Sequence, residues 1–242
     1  MSVLEAAFPR RPRKLPRFRR WPGNLGVVAL AALAARLLLP VAPVGAALWC
    51  EARSVGLLHL LPLPPLAKGV FAVLILDLAI YWQHRLFHYF RPLWRVHRMH
   101  HADLDLDASS GLRFHPFELL ASLAFKIALV PLLGPPPEAV LVFELLLNGC
   151  AMFNHANLNL PQRTDHLLRL FLITPDMHRV HHSTDMRESN HNFGFSVPWW
   201  DHLFASYKAA PDEGQLKMDI GLNIFRSPAF SRLDRLLLIP FL

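Results

Sequence analysis

The chain has 242 residues, enough for one substantial domain without requiring two. Hydrophobic residues make up 53 % and charged residues 18 %, with a mean hydropathy of +0.27, which argues against an ordinary soluble protein and for membrane helices. Net charge is +7, and the two cysteines, Cys50 and Cys150, form no C-x-x-C pair, so a disulfide framework is excluded and any metal site must be built from histidine.

Much of the positive charge lies in residues 10–20, RRPRKLPRFRR. Such a run can mark nucleic-acid binding or a localisation signal. A long apolar stretch follows at once, so residues 1–24 read as a basic cytoplasmic segment anchoring a membrane helix, and no nucleic-acid partner is expected. No small-residue cleavage pattern of a signal peptide is present. Residues 25–49 are long enough to span a hydrocarbon core of about 30 Å. Arg36, Pro40 and Pro43 make this stretch either a kinked span or a helical hairpin. The proline-rich residues 51–65 then form a surface or re-entrant connection, so 25–65 is the first membrane span and its connection.

A second apolar stretch, 66–82, runs straight into His84 and His88, and the segment 84–116 that follows reads as aqueous. A third, 117–133, ends at a tight Gly-Pro-Pro-Pro turn, and a fourth, 138–153, leads into His155. Starting from a cytoplasmic N-terminus, four crossings return all but His59 of the fourteen histidines to the cytoplasmic side. Lys126 and Glu144 fall at similar depth on either side of the turn, which predicts a structural ion pair between them. The last residues, 231–242, carry an apolar stripe opposite Arg232 and Arg235, so the 211–242 tail is expected to include an amphipathic helix on the membrane surface. The fold class is thus an all-α membrane protein, with about four transmembrane or membrane-embedded helices and a cytoplasmic histidine-rich cap.

The histidines carry the chemistry. His84 and His88 sit in HRLFH, His97, His100 and His101 in HRMHH, and His178, His181 and His182 in HRVHH. Spacings of three and four residues put imidazoles on one helical face, aimed at one spot. Eight such rings exceed what one ion can use, so two metals are implied. Neutral imidazole suits zinc, copper, iron and nickel. A structural zinc site closes with four ligands, often including cysteine, and soluble di-iron bundles need carboxylates with Glu-x-x-His; neither matches. Asp77 is spaced to share a helix face with Tyr81, His84 and His88, either accepting a hydrogen bond from a ligand histidine or serving as an acid paired for folding alone. His155 stands alone, but at the same membrane face as the clusters, which favours a ligand. His191 is a weaker candidate, and His115 precedes a helix-opening proline and suits capping or packing. His166 and His202 read as surface groups or as outer partners of a ligand, and His59 as unrelated.

In order along residues 70–210, the words DLAIYWQHRLFH (77–88), WRVHRMHHADLDLDASSGLRFHPFE (94–118), FNHANL (153–158) and TPDMHRVHHSTDMRESNHNFGFSVPWWDHLFASY (174–207) resemble the membrane fatty acid hydroxylase/sterol desaturase superfamily. The resemblance implies a 66–210 catalytic domain with a cytoplasmic histidine-bound di-iron centre, which zinc can replace in a purified sample. The implied metal ligands are His84, His88, His97, His100, His101, His178, His181 and His182, with His155 as the isolated ligand of the third segment. Some relatives place a second histidine four residues after it, where this chain has Asn159; a tenth ligand is therefore Asn159, a water or His191. The usual F-G-T-Y ending is F-A-S-Y here (204–207). The implied reaction uses O2 to hydroxylate or desaturate an unactivated C–H bond of a lipid: a sterol, a fatty acyl chain, a carotenoid or another long-chain lipid. No cytochrome b5 domain is visible, so the electrons are expected from a separate carrier, cytochrome b5-like or ferredoxin-type with its reductase. Trp82, Phe87, Phe153 and Phe193 are candidates to line a lipid path. The rival is a non-catalytic histidine-rich metal-binding membrane protein or transporter, but a transporter places its polar ligands at the membrane midplane rather than at helix ends.

Overall fold

The structure is a computed structural model and describes residues 1–39 and 41–242. Among these residues there is no β-strand, and the β-bridges are isolated ones, Pro9 with Leu158 and Ser183 with Ile220. A short α1 (Ser2–Ala7) precedes α2 (Arg17–Leu38), α3 (Pro43–Arg53) and α4 (Leu57–Leu60). The apolar stretch 25–49 is therefore divided between two helices, with Pro40 outside the described residues. Next come α5 (Pro65–Tyr89), α6 (Arg91–His101), α7 (Pro116–Leu133) and α8 (Pro137–Asn154). The short helices α9 (Gln162–Leu168), α10 (Pro175–His181), α11 (Met186–Ser189), α12 (Trp199–Leu203) and α13 (Leu233–Leu238) complete the chain.

Proline writes several of these starts. It occupies the first or second position of α3, α5, α6, α7, α8 and α10, where its missing N–H would have had no helical partner. The α7–α8 turn closes through Gly134, which caps α7 in the left-handed conformation at φ 63° and accepts no Cβ, because Val55 O would lie 2.4 Å away.

Three segments are long and apolar enough to cross a membrane: Arg17–Leu60, Pro65–Tyr89 and Pro116–Leu133. The fourth expected stretch forms the 18-residue α8, which carries Glu144 and is not among these three. Leu33, Leu37, Val70, Phe71, Leu141 and Leu145 point outward from α2, α5 and α8, as helices surrounded by lipid require. Inside, α3, α5, α7 and α8 enclose a core that includes Cys50, Leu76, Val130, Val140 and Phe143. Lys126 and Glu144 make the expected contact, Nζ to Oε1 at 2.6 Å.

Both termini fold back on the histidine-bearing helices. The basic run 10–20 forms a strap. Arg20, fully buried, donates to both Asp103 oxygens, to Asp107 Oδ2, to Asp105 O and to Ser110 Oγ, at 2.7–2.9 Å. The backbone N–H groups of Lys14 and Leu15 donate to Asp105, Arg10 pairs with Asp176, and Arg17 pairs with buried Glu5. Burial alone would raise the Asp103 carboxyl, but Arg20 and Arg113 outweigh it and hold it well below the usual carboxylate range. At the other end, the apolar stripe of 231–242 meets protein. Leu236 and Ile239 are fully buried with Val27 of α2 and Met99 of α6, Leu238, Phe241 and Leu242 stay exposed, and the helix is only six residues long.

Candidate metal centre

The nine expected histidines converge as two groups. His84, His88, His97, His101 and His181 form one, and His100, His155, His178 and His182 form the other. Within each group every residue offers one ring nitrogen within 4.8 Å of the rest, and all nine side chains are buried. The H-x-x-H-H motifs do not aim at a single spot, as their spacing had suggested. At about 100° per residue, the first and last histidines of each motif lie near one line of the helix, while the middle one is turned well away from the last. So His97 and His101 join the five-membered group and His100 the other, whereas His178 and His182 join the four-membered group and His181 crosses to the five. Each motif therefore ties both groups together.

The hydrogen bonds around the groups say what they lack. His84 Nδ1 lies 2.8 Å from Phe193 O and His181 Nδ1 lies 2.8 Å from His191 O. A carbonyl only accepts, so both rings carry their proton on Nδ1 and present a lone pair at Nε2. Those two Nε2 atoms are 3.0 Å apart. The same conflict recurs in the second group. His100 and His155 donate from Nδ1 to Arg113 O and Ala151 O, and their Nε2 atoms also sit 3.0 Å apart. Two acceptors at that distance repel, and a cation between them reverses the sign. The donor set is thus fitted to two metal ions held by neutral nitrogen. Burial, reinforced by the neighbouring imidazoles, pushes His100, His101, His178, His181 and His182 well below the ordinary histidine range, and burial holds His155 down at about 4. The rings are neutral at pH 7, as metal ligands must be.

Outer partners fix the rings, and several were not singled out in the sequence. Glu118, in the first turn of α7, accepts from His97 Nδ1 at 2.6 Å. Asn190 meets His88 Nδ1 at 3.3 Å, and Asn154 meets His155 Nδ1 at 2.6 Å. Asp201 accepts from the backbone N–H groups of Phe193 and Gly194 and from Ser206 Oγ, which sets the loop whose Phe193 carbonyl orients His84. Burial pushes the Asp201 carboxyl up to about 6. Gly111 packs so closely on α8 that a Cβ would sit 2.3 Å from Ala151 O, the carbonyl that holds His155.

The remaining sequence candidates lie outside both groups. Asp77 accepts from Trp200 Nε1 at 2.8 Å and touches no histidine of either group, so it secures α12 rather than a ligand. His115 caps α7 by accepting from Phe117 N. His191 contributes its carbonyl to His181, not its ring. Asn159 is exposed, its backbone N–H donating to Phe8 O in the strap region. Among the described residues, no tenth His, Cys, Asp or Glu joins either group. His166 and His202 are exposed, and His59 sits against Gly134 at the opposite end of α7.

A cavity of about 380 Å³ reaches His84 between α2, α5, α7 and α8. Ile80, Phe87, Leu119, Leu123 and Phe195 give it an apolar wall. Of the aromatic residues considered from sequence, Phe87 lines it. Trp82 instead packs on Phe204 and Arg85, and Phe193 packs against the rings of His84 and His88.

Comparison with known proteins agrees with this geometry. Residues 69–206 match the family model described as fatty acid hydroxylase. An ornithine lipid hydroxylase of Rhizobium tropici is 33 % identical over 164 residues, covering 66 % of this chain and 47 % of that protein. The human alkylglycerol monooxygenase is 30 % identical, covering 64 % of this chain and 34 % of its own. A Delta(7)-sterol-C5(6)-desaturase of Nicotiana tabacum is 27 % identical, covering 60 % and 51 %. The chain thus spans about half or less of the length of these relatives. No solved structure matches it.

Proposed function

The chain belongs to the fatty acid hydroxylase family, and from that premise we propose that it is an integral-membrane, O2-dependent oxidoreductase that hydroxylates, or alternatively desaturates, an unactivated C–H bond of a lipid. The observation that carries this reading is the convergence of nine buried imidazoles on two points, with lone pairs facing one another in each group, at the end of a largely apolar cavity. His84, His88, His97, His101 and His181 would hold one iron ion, and His100, His155, His178 and His182 the other. Bound there, the iron pair supplies the O2-reducing power that an unactivated C–H bond demands.

The protein's own share is positional. Phe193 O, His191 O, Arg113 O, Ala151 O and Glu118 fix the orientation and tautomer of His84, His181, His100, His155 and His97, turning Nε2 of each toward its group. The apolar wall places hydrocarbon rather than water beside His84. The histidine cap and the N-terminal strap lie together on the cytoplasmic side in this reading, where a separate one-electron carrier protein, cytochrome b5-like or ferredoxin-type, delivers electrons. Hydroxylation is preferred over desaturation because the ornithine lipid and alkylglycerol relatives are a hydroxylase and a monooxygenase by name.

The test is untargeted lipid analysis of cells expressing the wild type or His181→Ala, together with metal analysis of the purified proteins. The expected result is iron at two ions per wild-type chain, and an oxygenated or unsaturated lipid that disappears in the variant. Unchanged lipids under a competent reducing partner would remove the proposed reaction.

A further inference from the structure

One feature of the cavity is foreign to a purely hydrocarbon passage. Down α7, Glu118, Ser122 and Lys126 recur every four residues and all line it. Each has a partner on a different element: His97 for Glu118, Gln83 for Ser122 at 3.1 Å, and Glu144 for Lys126 at 2.6 Å. Glu144 and Asn148 of α8 line the cavity as well. The eight residues from Glu118 to Lys126 set the charged pair about 12 Å along the helix from the histidine groups.

Among the described residues, Glu144 is the hydrogen-bonding partner of the Lys126 ammonium, which leaves two of its three donors unused. The second oxygen of Glu144 likewise accepts from no described side chain. The Lys126 and Glu144 side chains are largely buried, at 11 % and 23 % exposure, and both residues line the cavity. A pair serving only to hold two helices together would gain from a closed arrangement, whereas this one keeps unused donors and an unused acceptor at the wall of the cavity. The pair is neutral overall and offers donors and an acceptor side by side. It therefore suits a neutral group that both donates and accepts, and an anionic group would be met by Glu144.

We propose that Lys126 and Glu144 form a polar subsite that binds the hydroxyl or amide of an amphipathic lipid, with its hydrocarbon chain running from there toward His84. This rests on the lipid-oxidising reading above and deepens it. The substrate is a lipid with a neutral hydrogen-bonding group set back about 12 Å from the carbon that reacts, and not a bare hydrocarbon.

The test uses binding, measured on the metal-free protein in detergent by equilibrium dialysis with labelled decanol and decane as probes. The wild type is expected to favour decanol over decane, relative to protein-free micelles, by on the order of tenfold. Lys126→Met combined with Glu144→Leu removes both charges without orphaning either, and is expected to bring that ratio down to the micelle value. An unchanged ratio would overturn the proposal and leave the pair a structural contact. If the double variant does not fold, a decanol carrying a diazirine beside its hydroxyl decides on the wild type. Labelling of residues 119–126 or 141–148 supports the subsite, and labelling confined elsewhere overturns it. His181→Ala is expected to keep the decanol preference while losing lipid oxidation. Preference without any lipid oxidation in the wild type would sink the reaction and spare the subsite, and oxidation without preference would do the reverse.

Discussion

Two buried polar clusters lie side by side in the cap and solve the same problem in opposite ways. In the strap, Arg20 is surrounded by Asp103, Asp107, Asp105 O and Ser110 Oγ, and its guanidinium donors find acceptors within the protein. In the histidine core, acceptor faces acceptor at 3.0 Å. Both clusters are sealed from water, but in one the central guanidinium of Arg20 is paired as folded, and the other is complete only with something added. Burial of polar groups is therefore no guide to function by itself. A cluster whose donors and acceptors match is architecture, and a cluster that repels itself is a site.

This contrast is most sharply tested by substitutions that should act in opposite directions. In the core, His181→Ala is expected to reduce iron affinity by about a hundredfold or more and to abolish lipid oxidation. The same change should leave the thermal stability of the metal-free protein unchanged or slightly raised, since a repelling lone pair is removed. In the strap, Arg20→Met should cost about 3–5 kcal/mol, because it leaves Asp107 buried without a cation and Asp103 with Arg113 alone. Thermal unfolding of the metal-free proteins reads both, and a large stability loss in the histidine variant would break the distinction. Glu118→Gln lies between the two. It keeps the size of the side chain and weakens the support of His97, so iron affinity should fall by about 10–100-fold with little change in metal-free stability.

Acid should separate the strap's contribution cleanly. Asp107 is raised by burial, but Arg20 and the Ser109 hydroxyl outweigh this and depress it. A depressed carboxylate stabilises the fold above its unfolded value, near 3.9, and that stability is lost as pH falls through the folded value. In Arg20→Met burial is no longer offset by the guanidinium and raises the Asp107 carboxyl above its unfolded value, so the variant takes up a proton at a pH where the wild type does not. The stability gap between wild type and variant should therefore be widest at neutral pH and narrow as pH falls through the variant's raised value, and a gap that stays constant down to about pH 4 would mean that some other group holds the strap.

The two clusters also differ in how far sequence reveals them. The histidines are local: HRLFH, HRMHH and HRVHH repeat one spacing, and His155 follows an apolar stretch that ends at the same face. That was enough to name all nine members of the two groups. The partition was not legible, because it depends on how α5, α6, α8 and α10 are docked, and three-versus-four spacing alone does not say that His100 and His181 cross over. The strap was hidden for a different reason. Asp103, Asp105 and Asp107 sit in plain view, but their partners lie about ninety residues earlier in a run that satisfies the positive-inside pattern on its own. Glu118 was masked by its neighbour, since His115 and Pro116 explain a helix start without calling on the next acid. Asp77 drew attention as the acid nearest HRLFH in sequence, yet its partner is Trp200.

The smallest expected effect tests whether burial, and not charge pairing as such, is what makes the strap rigid. Lys14 Nζ lies 2.5 Å from Asp219 Oδ1, as close as any pair in the strap, but the two side chains are 43 % and 59 % exposed. Water and salt screen such a pair, and two flexible side chains lose freedom in forming it. The Lys14 backbone N–H still donates to Asp105 Oδ1 at 2.9 Å, so removing the side chain does not unfasten the segment. Lys14→Ala should therefore change stability by less than about 1 kcal/mol, and less again at high salt. Arg20→Met should barely respond to salt, because its carboxylates are sealed from solvent. If the two variants lose comparable stability, or lose it with the same salt dependence, then the strap is held by its overall charge, and the division between a closed cluster and an open one would have to be drawn elsewhere.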